Sequence, residues 1–297
     1  MKKIQKPLEL KRLLPAGGLA FLFCSFISQA FSTSLAEAFD LESDLRFEMR
    51  HHALHKAGRE SLRKSSGQLL LFLESRESPV GIDLEDYLSL KNDIFDKMFT
   101  DSIDLPSLVD VAQTNLNDPS SHPIWRDYCL QKYGLLLSHP EIGERLRTPL
   151  FNDLWRYMQG EETGMTGTAL LAAIRAWEAR GDWKGEDFAV TSKTVGESAM
   201  LCAREVNNPL MDRMTALQVA SLLGYSEARD YSIELLQSSP ASVPLMLRSS
   251  AVAALGIFAD GRDADLVRRY RLSADIRLRA AAVTALYKIQ QQSSAKN

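Results

Sequence analysis

Glu48, His51, His52 and His55 lie within eight residues and hold three of the five histidines of the chain. On a helix these four positions project from one side, and two imidazoles four residues apart can grip a transition metal. The competing reading is a solvated face. Arg50, Lys56 and Arg59 flank the cluster, and their charge opposes a bound dication. The solvated face is the expectation, with His51 and His55 as the pair to watch.

Two other charged groups invite chemistry. Asp260, Asp263 and Asp265 lack the alternate acids and sixth-position Gly of an EF-hand loop. They fit a turn between two helices, with Asp263 capping the second. Arg262, Arg268, Arg269, Arg271, Arg277 and Arg279 form a basic run. Arg268, Arg269 and Arg271 could contact an anionic partner. Arginines recurring along a chain also build ladders that bond carbonyls or acids of the next unit, and the ladder is the favoured reading. Trp183, in Arg180-Gly181-Asp182-Trp183-Lys184-Gly185, reads as a loop residue exposed for contact, whereas Trp155 and Trp177 fit apolar stripes and read as core. There is no Gly-rich phosphate loop, no G-x-S-x-G and no H-E-x-x-H. The expectation is therefore a binding protein without catalysis and without a cofactor.

These residues must be positioned by helices. The 297 residues are 45% hydrophobic and 25% charged, with only 11 Pro and 16 Gly. Few turns and long helices follow from that. A chain this long buries about three quarters of its unfolded surface and needs no disulfide to hold a core. The net charge of −3 argues against a nucleic-acid partner. At the start, Lys2, Lys3, Lys6, Lys11 and Arg12 precede the uncharged stretch Leu13 to Ile27, then Ser28-Gln29-Ala30. This order predicts a signal peptide cleaved near Ala30, a periplasmic or secreted protein, and no membrane contact afterwards. Cys24 leaves with it. Cys129 and Cys202 sit within helical patterns and read as small buried residues, with a bridge between them left open.

Apolar residues recur at three and four through most of the remaining chain. Helices are predicted over 41–64, 67–76, 83–99, 105–116, 123–137, 142–158, 166–179, 186–206, 209–223, 227–236, 244–258, 263–270 and 275–290. Pro119, Pro140, Pro209 and Pro240 separate several of them. Arg248 to Leu255 matches Arg279 to Leu286 at five of eight positions, 31 residues apart. Stepping back 32 residues from Gly256 reaches Gly224. Ala251, Ala254, Ala282 and Ala285 should lie where neighbouring helices touch, and the glycines should end their helices.

The Arg-x-x-Ala-x-x-Ala-Leu-Gly pattern with a period near 31 resembles short bacterial HEAT repeats, over about 209–289. The resemblance implies an all-α protein, an α–α superhelix that contacts another protein, preceded by an additional helical region. It carries no catalytic residue, because the motif is one of packing. The expected organisation is a helical region at 31–115, a solenoid at 116–290 and a disordered tail at 291–297. The last helix, ending in Gln290-Gln291-Gln292, could supply the polar cap such stacks need. Enzymatic or metal chemistry in region 31–115, or a role in assembling an envelope complex, are the alternatives.

Overall fold

The computed structural model describes residues 34–181, 183–184 and 189–295, and among them helices dominate. The expected signal peptide lies outside the described residues. The chain divides into two compact units, one ending at Ile103 and the other beginning at Asp104.

The first unit has five helices. They are α1 (Leu35–Ala38), α2 (Phe47–Lys56), α3 (Arg59–Lys64), α4 (Ser66–Glu74) and α5 (Leu84–Thr100). Ser34 and Glu37 close a capping box on α1. The single helix expected over 41–64 is instead two helices after a turn, because the chain leaves helical geometry at Ala57 and restarts from Gly58. Leu54, Leu62, Leu69, Phe72, Leu90, Ile94 and Phe95 form the core. Arg50 is 0% exposed, which is costly for a cation unless its donors are met. Its guanidinium donates to four carbonyls: Ala38 (2.8 Å), Asp40 (3.0 Å), Ser43 (2.7 Å) and Leu45 (2.9 Å). One side chain thus holds the whole strand of backbone that leads into α2.

The second unit is a helical stack. Its helices are α6 (Leu105–Asn117), α7 (Pro123–Ser138), α8 (Glu144–Met158), α9 (Thr166–Arg180), α10 (Ser192–Arg204), α11 (Leu210–Leu222), α12 (Ser226–Gln237), α13 (Leu245–Phe258), α14 (Ala264–Arg268) and α15 (Ile276–Ala295). The helices α7, α9, α11, α13 and α15 pack each against the next, and α8, α10, α12 and α14 alternate with them. This is an α–α superhelical repeat arrangement. Ala251, Ala254, Ala282 and Ala285 are all buried, as the shared pattern requires.

The two repeat glycines do different things. Gly224 has φ +68 and ends α11. Gly256 lies inside α13, which runs on to Phe258 and is closed by Ala259 in the left-handed region. Gly256 is there because a Cβ on it would stand 2.7 Å from Ala285 of α15. The expectation that Gly256 ends its helix is corrected: its missing side chain serves helix contact.

Three further expectations change. Residues 186–206 do not form one helix: Trp183–Lys184 pairs antiparallel with Ala189–Val190, and α10 starts only at Ser192, capped by Thr191. Trp183 therefore sits in a short ladder rather than a loop. Residues 291–295 continue α15 and are not a disordered tail. Cys129 and Cys202 are buried free thiols.

Candidate functional site

The histidine cluster lies on α2 against α5 and splits into parts. His51 and His55 converge, with Nε2 atoms 3.1 Å apart and ring centroids 4.3 Å apart. The i, i+4 spacing puts the two rings on one face, tilted 59° to each other. Phe47, one turn earlier, lies parallel to His51 at 5.4 Å and fixes its plane. From α5, Asp93 brings a carboxylate oxygen to 3.5 Å from His51 Nε2. His52 is exposed and makes no ring contact with the pair. Glu48 sits near Asp86, whose carboxyl is raised by desolvation first and then by Asp83 and Glu48. The four-residue cluster therefore reduces to two imidazoles plus an acid that sequence spacing did not bring in. Asp93, Asp96, Lys97 and Thr100 fall three and four apart on α5, a polar stripe that could have signalled it. With Leu54 and His55 they line a cavity of about 230 Å³. Lys97 is held by Asp101 at 2.9 Å. Arg50 points into the unit, toward its four carbonyls, not toward the histidines.

The acidic group at 260–265 is structural. Arg229 of α12 makes two bonds to Asp263, at 2.9 and 2.7 Å, tying one repeat to the next. Asp263 does not cap α14 with its side chain, contrary to expectation. Asp260 instead accepts from the backbone of Arg262, starting a short 3-10 turn, and the Arg262 guanidinium holds its carboxyl well below the usual range.

The basic run does not build the expected ladder; two other arginines, Arg126 and Arg213, make contacts of that kind. Arg126 Nε donates to Leu116 O at 2.9 Å and Arg213 Nε to Ala203 O at 3.1 Å. Each carbonyl belongs to the last turn of the preceding helix, where it has no partner within that helix. In both places a tyrosine joins: Tyr157 and Tyr231 donate to the same carbonyls and meet the guanidinium at 3.3 Å. Tyr270 repeats the contact on Leu236 O at 2.7 Å. The basic run expected to form the ladder is spent locally or exposed. Arg268 pairs with Asp265 and Arg279 donates to Ser273 O, while Arg269 and Arg271 are exposed.

A second cavity, about 300 Å³, lies between α8, α9 and α10. Gln159 donates to Ser198 across it at 2.9 Å. Cys202 borders it, but burial, helped by Asp212, pushes its thiol up to about 12. It is no nucleophile at neutral pH. The Trp183 side chain lies outside the described residues. Trp155 and Trp177 are half-buried, and Trp125 is fully buried.

No protein-family model matches the chain, and no curated protein matches it. Among solved structures it is similar to the crystal structure of an engineered protein, at 11% identity and a TM-score of 0.42, covering 87% of this chain and 97% of that one. It is also similar to human deoxyhypusine hydroxylase in complex with glycerol, at 15% identity and a TM-score of 0.33, covering 93% of this chain and all of that one. Likeness at this level transfers no activity. The expectation of a chain without catalysis is withdrawn, because a packing motif and a helical architecture neither supply nor exclude catalysis.

Proposed function

We propose that the chain is an exported helical-repeat protein whose C-terminal stack docks another protein. The observation that supports this is the outer face of α15. Its inner face, Leu278, Ala282, Ala285 and Ile289, is buried. Its outer face carries Ile276, Val283 and Tyr287, exposed at 68%, 52% and 60%. Their spacing of seven and four keeps them on one stripe. Arg277, Arg279, Thr284 and Lys288 are exposed around it, so the stripe is an apolar strip bordered by polar and charged side chains. The chemistry suits a partner that offers an apolar helix face, as one more repeat would. The test is a pull-down from the native envelope extract with the purified chain and with a Val283→Asp, Tyr287→Glu variant. A partner held by the first and released by the second supports docking, and equal capture refutes it. Export is tested separately by the mass of the native N-terminus: Phe31 is expected, and intact Met1 on a cytoplasmic protein overturns it.

A second reading is favoured by the convergence of His51, His55 and Asp93 beside a cavity. In that reading the first unit holds a small ligand and does the chemistry. A panel of small molecules should then stabilise the protein through Lys97 or Asp96 at the cavity wall.

A further inference from the structure

We infer that His51 and His55 form a chelating pair for a divalent transition-metal ion. This deepens the second reading, which asks only for some ligand in the cavity beside His55.

The geometry carries the inference. Imidazole nitrogens bind such ions at about 2.0–2.1 Å, so two of them at angles between square and tetrahedral stand about 3.0–3.4 Å apart. The two Nε2 atoms stand 3.1 Å apart. Without an ion, one ring must donate its proton to the other. With both rings in the tautomer that carries its proton on Nδ1, both Nε2 lone pairs are free for an ion. Both rings are on one helix turn, and Phe47 holds the first of them in plane, so little ordering is lost on binding. Among the described residues no three His, Cys, Asp or Glu side chains are set as a complete ligand shell. Two imidazoles therefore bind directly and water fills the remaining positions. Asp93, 3.5 Å from His51 Nε2, is placed to accept from such a water and to offset the ion's charge. Of the flanking cations, Lys56 and Arg59 are exposed, where solvent and salt screen them. Arg50 is turned inward and saturated by carbonyls, and Lys97 is paired with Asp101.

The donor set selects the ion. Two imidazole nitrogens suit zinc, copper or nickel, whereas calcium and magnesium require shells of oxygen. The cavity lined by Leu54, His55, Asp96 and Thr100 opens beside the pair, so the water-filled positions have room for exchange.

The experiment is calorimetric titration of the full chain with zinc chloride, with magnesium chloride as control and thermal stability as a second readout. Zinc is expected to bind one to one and to raise the melting temperature in proportion to the logarithm of free zinc. Magnesium is expected to do neither. His51→Ala and His55→Ala should each weaken zinc at least about tenfold, the loss of one of two ligands. His52→Ala should change it less than about twofold, because the converging nitrogens belong to His51 and His55 alone. Asp93→Asn should weaken it severalfold. The metal-free melting temperatures of the variants, and a His55→Gln variant that keeps the side-chain volume, separate loss of ligand from loss of fold. No zinc binding at about 1 mM, or His52→Ala as harmful as His55→Ala, overturns the assignment. If zinc fails while a small molecule still binds through Lys97, the metal is wrong and the cavity reading stands.

Discussion

Replacing Gly256 by Ala tests the stack where two effects of similar size oppose each other. In an open helix, Ala is favoured over Gly by about 1 kcal/mol. At Gly256 the new Cβ would meet both Cα and Cβ of Ala285 at 2.7 Å. Carbon atoms in contact prefer about 3.5–4.0 Å, so α13 and α15 must separate by roughly 1 Å. The obstacles are backbone and a methyl without rotamers, so neither can swing away. Overpacking of this kind costs about 1–3 kcal/mol, and the upper half of that range applies. The net expectation is a loss of about 1–2 kcal/mol, or a fall of about 2–8 °C in melting temperature for a unit of this size. The assay is urea and thermal unfolding followed by far-ultraviolet circular dichroism. Gly67→Ala is the comparator: Gly67 is helical and a Cβ there meets nothing within 4 Å. It should be neutral or stabilising. Three residues on from Gly256, Ala259 has φ +49 at the end of α13. Ala259→Gly should therefore stabilise by about 1 kcal/mol, relieving left-handed strain. If Gly256→Ala stabilises as Gly67→Ala does, the close contact between α13 and α15 is not real.

Other substitutions follow from single residues. Arg50→Met keeps the buried stem but strips the donors from four carbonyls. It should cost about 3–5 kcal/mol. Arg50→Lys, with one ammonium for contacts made by three nitrogens, should still lose about 2 kcal/mol, and equal stability of Lys and Arg would refute the role. Asp263→Ala leaves the partly buried Arg229 without its two-point partner. It should cost about 1–3 kcal/mol, with hydrogen exchange rising first between α12 and α14. Burial holds the Cys202 thiol near 12, against about 8.5 in an unfolded chain. A raised value stabilises the fold below the unfolded value and is lost as pH rises through it, because the unfolded thiol ionises first. Urea titrations between about pH 8 and 10.5 should show stability falling more steeply for the parent than for Cys202→Ala. Parallel curves would count against that burial.

The sequence alone determined the helices that end on local signals. Apolar residues at three and four, with Pro123, Pro209 and Pro244 at helix starts, are properties of neighbouring residues, and α5, α6, α7, α9, α11 and α13 fall within a residue or two of the prediction. The Ala251/Ala282 repeat was legible for the same reason, since a small residue at a fixed helical phase can only serve close packing. Where local signals compete, the sequence misled. His51 and Leu54 keep a helical rhythm across Ala57-Gly58 that the chain does not follow. The Gly of Ala-Leu-Gly looks like a helix stop at 256 as at 224, and only the approach of Ala285, 29 residues later, makes it an interior contact. The site was half legible. The i, i+4 rule paired His51 with His55. Asp93 reaches them only because α2 packs on α5, and Arg50 is turned away only because four carbonyls lie within its reach on the inner side of α2. The same holds for the arginine ladder. A sequence shows which arginines recur, but which of them finds a free carbonyl depends on where the preceding helix ends in space. Periodicity and helix termini are encoded locally, whereas ligand sets and paired charges come from residues tens of positions apart and exist only once the helices are packed.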